Sequence, residues 1–256
     1  RCSRDWSSDV CSSDLLLRSA AQHCGETLIF NTLHALASRA VPLDLPTAIE
    51  RRFLGNGFLQ LLVGLDTLGA QTALAEHLAK ATNITDRLNV LTAIWQSNHP
   101  ERQDILRREG EALRKTLGGY LGFLQTVGQS PREEVFDAVA EEESRPTFSL
   151  SHPGQSRALF LPLSLNNAQI WTTRGLRWLT DTAIKLAPVS EFTTLRLIAP
   201  CQAYRTFAPD LRRTVEAALR EILAFSKKRS CPSLTGRLEA KYQLVVTLTL
   251  YKVYVH

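Results

Sequence analysis

The stretch Ala81–Trp95, ATNITDRLNVLTAIW, decides the fold class. It opens with Thr82-Asn83-Ile84-Thr85-Asp86, short polar side chains able to accept from the unpaired amides of a helix start, with an acid in the first turn. Behind them Ile84, Leu88, Leu91, Ile94 and Trp95 recur at spacings of three and four, so they share one face of a helix. Asp210–Phe225 repeats the design. Asp210 follows Pro209 as a cap, and Leu211, Val215, Ala218, Leu219 and Ile222 form the apolar stripe.

Working outward, helices are predicted over Leu16–Arg39, Thr47–Val63, Thr67–Lys80, Arg102–Leu117, Pro131–Glu142, Arg174–Lys185 and Glu191–Pro200. Pro42 and Pro46, Gly64, His99-Pro100, Gly118-Gly119, Ser130-Pro131, His152-Pro153-Gly154 and Pro188 mark the connections. Consecutive helices joined by short turns pack antiparallel, and a succession of such pairs gives either a bundle or a curved α-solenoid. No strict repeat length is visible, which disfavours a regular TPR or ankyrin array.

The two ends of the chain read differently. Asp5–Leu15, DWSSDVCSSDL, matches the in-frame translation of a common short-read sequencing adapter, so residues 1–15 are expected to be a disordered artefact outside the fold. The chain opens at Arg1 and contains no Met. Both features are expected of a fragment translated from contaminated DNA. Gln243–His256, QLVVTLTLYKVYVH, alternates β-branched and aromatic residues with polar ones and reads as a strand without a partner. That leaves residues 16–242 as the domain and 243–256 as a tail of uncertain origin.

Apolar residues make up 44% and charged residues 21% of the chain, the balance of a soluble globular protein with a core. No apolar run approaches the ~18–20 residues of a membrane-spanning helix. Beyond residue 15 only Cys24, Cys201 and Cys231 remain. They are scattered and odd in number, which fits incidental thiols in a reducing compartment and a cytoplasmic location. The net charge of +5 invites a nucleic-acid reading. The basic residues are dispersed, however, and no aromatics interleave with them as a base-stacking platform requires. No nucleic-acid or membrane partner is expected.

Four segments carry a family resemblance. Ile49–Gly64 (IERRFLGNGFLQLLVG), Ala81–Ile94, Phe148–Phe160 (FSLSHPGQSRALF) and Leu195–Phe207 (LRLIAPCQAYRTF) resemble, in order and spacing, the C-terminal helical domain of the M1 zinc metallopeptidases, the bacterial aminopeptidase N type. Leu234–Tyr242 resembles its closing segment. His152, Gly154 and Gln155 stand where that pattern has Asn, Asn and a basic residue, and its Asp-Gly-Ser-Gly turn becomes Thr172–Gly175. The resemblance implies an all-α fold, a superhelical array of antiparallel helix pairs (an ARM/HEAT-like α-solenoid). It also implies a non-catalytic role: closing the substrate chamber over a catalytic domain of the same polypeptide and limiting which peptides enter. Two arginines align with chamber-facing positions of the family, Arg157 through HPGQSRAL and Arg196 through LRLIAP. A guanidinium stays charged and can fork to a peptide carboxylate or carbonyl.

Catalysis in that family needs two His at i and i+4 with a motif Glu, holding zinc and its activated water. None of the histidines (His23, His34, His77, His99, His152, His256) sits in H-E-x-x-H, so no metal or cofactor is expected in this chain. Zinc is implied for the catalytic domain instead. His77 and His99 are expected to be solvated, on a helix surface and at a helix start. Glu141–Glu143 reads as a solvated helix end, and Glu133 and Glu134 as first-turn acids favoured by the helix dipole. The competing reading is a free-standing HEAT-like scaffold that binds protein or RNA along a concave face.

Overall fold

A computed structural model of the chain describes residues 19–37, 45–65 and 67–240. All regular structure among the described residues is helical. In chain order the helices are α1 (residues 19–24), α2 (Glu26–Ala37), α3 (Leu45–Leu65), α4 (Leu68–Lys80), α5 (Ile84–Gln96), α6 (Arg102–Leu113) and α7 (Leu117–Val127). They continue with α8 (Glu134–Glu143), α9 (Pro153–Ser164), α10 (Asn167–Ile170), α11 (Thr173–Leu186) and α12 (Glu191–Leu197). A 3-10 segment (Ala199–Thr206), α13 (Pro209–Lys228) and α14 (residues 232–240) complete the series. These helices fall into two compact units, one up to Val139 and one from Ala140 onward.

Short polar caps start the helices. The side chains of Thr67, Asn83, Thr116, Thr172 and Ser190 each accept from the backbone N–H three residues on, at 2.9 to 3.2 Å. Each bond satisfies a donor that the first turn leaves unpaired, and each cap contributes about 1 kcal/mol.

In the first unit α5 is the centre. It packs against α3, α4, α6 and α7, while α3 also meets α2 and α4. Its main contacts join next and next-but-one neighbours, the connectivity of a helical repeat. Val90, Leu91, Ala93, Ile94 and Trp95 of α5 are buried. The Trp95 indole N–H donates to the Val127 carbonyl at 3.0 Å, so the largest buried side chain also satisfies the end of α7. Arg102 forks onto Glu134, Nε to Oε1 at 2.8 Å and Nη2 to Oε2 at 2.9 Å, and ties the start of α6 to the start of α8. In the second unit α9 packs on α10 and α12, and α11 on α10, α12 and α13. Leu159, Phe160 and Leu163 of α9, Leu176, Leu179, Ala183 and Leu186 of α11, and Val215, Leu219 and Ile222 of α13 fill its core. Phe148 meets Phe160 edge-on at 5.8 Å between centroids.

The structure departs from the predicted elements in identifiable places. The single helix predicted over Leu16–Arg39 is broken at Gly25, whose φ of +73° closes α1 in the left-handed region, its N–H on the Ala21 carbonyl at 3.0 Å. Gly118-Gly119 is not a connection but the first turn of α7, which spacing alone did not predict. Two glycines of α7, Gly119 and Gly122, stand at close approaches, whereas a Cβ at Gly118 would meet nothing within 4 Å. A Cβ at Gly119 would lie 2.5 Å from the Leu113 carbonyl oxygen, and one at Gly122 would lie 2.2 Å from Leu88 Cδ1 on α5. His152-Pro153-Gly154 is likewise the start of α9, with Pro153 at a position where a missing N–H costs nothing. The helix predicted over Glu191–Pro200 stops at Leu197 and tightens into the 3-10 segment that holds Pro200. Residues 1–15 and Gln243–His256 lie outside the described residues.

Candidate functional site

Arg157 stands one turn into α9. The turn before it is fixed by His152, whose Nδ1 accepts from the N–H groups of Gly154 at 3.2 Å and Gln155 at 3.3 Å. The Gln155 side chain reaches back to accept from the Ser149 N–H at 2.6 Å, and Ser156 Oγ donates to the His152 carbonyl at 3.2 Å. The Ser149–His152 turn is thereby clamped onto the helix it starts. Arg157 is exposed, and its Nε donates to the Pro153 carbonyl at 2.9 Å. That bond uses the Nε–H of the guanidinium.

Arg196 stands on α12, which packs directly on α9. Ser190 caps this helix, and Glu191 in its first turn accepts from the Leu234 N–H at 2.7 Å, anchoring α12 to α14. Thr193, Thr194 and Leu197 face inward. Arg196 faces outward, with its guanidinium 5.6 Å from the centroid of the Phe192 ring. Phe192 is itself 60% exposed, and Val189 just before the cap is 44% exposed. Neither arginine forms an ion pair with a described residue, so both can receive a carboxylate or a carbonyl. The resemblance pointed to both arginines. The exposed Phe192 beside Arg196 and the histidine cap before Arg157 were not foreseen, although a Ser-His-Pro run ahead of a helix is a readable start signal.

Other polar groups resolve into structure, two of them against expectation. His99 is buried rather than solvated, its Nδ1 accepting from the Glu101 N–H at 3.1 Å. Glu142, inside the acid run read as a solvated helix end, is 3% exposed, and Arg145 donates to it at 2.8 Å and to Glu141 at 2.7 Å. Glu143 pairs with Lys185. His77 is half-buried, and burial, aided by the Lys80 charge, pushes its pKa down. For Glu134, burial alone would raise the pKa. The hydrogen bonds from Arg102 and Gln103 and the charges of Arg102 and Arg132 outweigh it and hold the carboxyl below its usual range. Cys201 and Cys231 are buried cysteines outside any disulfide, and Cys24 is half-buried. Burial, with the Glu191 charge, pushes the Cys231 thiol up. Among the described residues no group of three or more His, Cys, Asp or Glu could hold a metal ion, so they do not fit a zinc site. No helix among them is long and apolar enough to cross a membrane.

Comparison with known proteins places this arrangement. Residues 11–228 match the family described as a domain of unknown function (DUF3458_C) with ARM repeats, a match that begins inside the adapter-like stretch and covers most of the chain. Aminopeptidase N of Caulobacter vibrioides is 24% identical over 180 residues, which are 69% of this chain and 21% of that protein. The crystal structure of Legionella pneumophila aminopeptidase A in complex with aspartic acid superposes with a TM-score of 0.75 at 16% identity, over 90% of this chain and 28% of that one. The chain thus spans about a fifth of the length of the curated relative it matches. It belongs to the DUF3458_C family of ARM-repeat domains and is an all-α, solenoid-like, aminopeptidase-related C-terminal helical domain.

Proposed function

We propose that this domain is the non-catalytic C-terminal part of a zinc-dependent M1 aminopeptidase, a cytoplasmic hydrolase that removes N-terminal residues from peptides. It closes the substrate chamber over the catalytic domain of the same polypeptide and limits which peptides enter. The observation that carries this reading is the family match over residues 11–228, in a chain that corresponds to only 21% of an aminopeptidase N. The zinc, its ligands and the general base belong to the catalytic domain, which supplies the activated water when the metal is bound. This chain's own contribution is positional. Arg157 and Arg196 line the chamber and hold the downstream part of the peptide through its carbonyls or carboxylate. Two features support that role: both arginines are exposed without a carboxylate among the described residues, and the helices that bear them pack together.

The test uses the full-length enzyme and two substrates, an aminoacyl p-nitroanilide too short to reach the arginines and a pentapeptide long enough to do so. A charged hydrogen bond contributes ~1.5–3 kcal/mol, so Arg196→Ala and Arg157→Ala should each lower kcat/KM for the pentapeptide by roughly ten- to a hundredfold. The anilide should be turned over unchanged. Equal effects on both substrates, or none on either, would remove the arginines from the chamber.

A further inference from the structure

The cap on α9 differs in chemistry from the Thr, Asn and Ser caps elsewhere in the molecule. Those side chains accept through hydroxyl or amide oxygens that neither gain nor lose a proton in the physiological range. His152 accepts through Nδ1, at 3.2 Å from the Gly154 nitrogen and 3.3 Å from the Gln155 nitrogen. An imidazole nitrogen can accept only while it is unprotonated. Histidine is also the side chain that changes charge between about pH 5 and 8. Protonation at Nδ1 turns the acceptor into a donor facing two donors, and it sets a positive charge at the positive end of the helix dipole. His152 is exposed, so solvent protons reach it directly.

The geometry points to a proton-operated latch: neutral His152 holds the first turn of α9 closed, and protonation of His152 releases that turn together with the side chain of Arg157. The release spreads through bonds already described. Gln155, one of the two capped amides, is the residue whose side chain holds the Ser149 N–H. Arg157 is steered by its bond to the Pro153 carbonyl, which lies in the same turn. The charged groups on α9 and on the elements in contact with it are Arg157 on α9 itself, Glu191 and Arg196 on α12, and Lys185 of α11, which stands 5.6 Å from the Phe160 ring centroid and pairs with Glu143; α10 carries none. The acids among these are engaged, Glu143 by Lys185 and Glu191 by the Leu234 amide. No carboxylate among them contacts His152 to hold an imidazolium in place. The latch stands independently of the proposed function, which adds only that acidification would then misdirect a chamber arginine.

The experiment is amide hydrogen exchange by NMR on the full 15N-labelled chain at pH 8 and pH 5.5, each rate divided by its intrinsic chemical rate. The Gly154 and Gln155 amides should lose protection about tenfold at the lower pH, the combined size of a lost cap and an adverse charge at a helix start. Their shifts should titrate with the midpoint of the His152 ring signals. The Gly175 amide, capped by Thr172 at 3.0 Å, is the internal reference and should not change. His152→Asn, which caps without titrating, should remain protected at both pH values, and His152→Ala should be unprotected at both. Wild-type protection that is equal at the two pH values overturns the latch. So does a His152→Asn variant that loses protection on acidification as the wild type does.

Discussion

Replacing Gly175 by alanine tests whether the second unit is built as described. A Cβ at this position would lie 2.1 Å from the Gln169 carbonyl oxygen and 2.6 Å from that of Ile170. Both are backbone atoms, so no side-chain rotation relieves the clash. The start of α11 must move away from α10, and the Thr172 cap, which holds the Gly175 N–H at 3.0 Å, is strained with it. Overpacking of this kind costs ~1–3 kcal/mol, and loss of the cap adds about 1 kcal/mol. A total near ~3 kcal/mol lowers the melting temperature of a chain this size by roughly 6–12 °C. Gly57 is the control. It lies exposed within α3, and a Cβ there meets nothing within 4 Å, so Gly57→Ala gains helix propensity and should stabilise by ~0.5–1 kcal/mol. Circular dichroism melts of the two variants and the wild type decide the matter. Gly175→Ala melting with the wild type, or shifting in the same direction as Gly57→Ala, would refute the close approach of α10 and α11.

The Arg102–Glu134 clamp makes stability depend on pH with a fixed sign. The folded pKa of Glu134 lies below its unfolded value of 4.5, so its contribution is full above roughly pH 5 and is lost as pH falls through the folded value. Urea titrations should therefore find Glu134→Gln less stable than wild type at pH 7, with the gap closing towards pH 3; a constant gap would contradict the clamp. Ser230 ends α13 with a φ of +53°, and the Cys231 N–H bonds the Ser226 carbonyl at 3.0 Å, the pattern of a left-handed helix terminus. Ser230→Gly relieves that strain and should stabilise by about 1 kcal/mol, raising the melting temperature by roughly 2–4 °C.

Helices with an unbroken apolar stripe and a polar start were legible in the sequence. α5 and α13 follow their predicted spans closely, because stripe and cap point to the same element. α7 and α9 were not, for opposite physical reasons. In α7 the residues read as breakers, Gly118 and Gly119, sit inside a helix, and Gly119 has no room for a Cβ against the Leu113 carbonyl, a close approach that local propensity does not register. In α9, Pro153 and Gly154 look like a turn until His152 is recognised as the cap, and Pro162 interrupts the helix pattern further on. The burial of Glu142 within a run of three glutamates depends on helix phase and on Arg145 reaching back one turn, and the composition of the run contains neither. Arg157 and Arg196 came from resemblance rather than spacing. Nothing local to either residue announces that it stands exposed and unmatched by a carboxylate among the described residues.

The most direct test is the coding sequence upstream of the Leu16 codon in the source genome. The account predicts an open frame that continues upstream for a few hundred codons and encodes H-E-x-x-H followed by a distal glutamate. An initiator codon beside Leu16, or an in-frame stop before any such motif, would contradict it and leave a free-standing helical domain in place of an aminopeptidase.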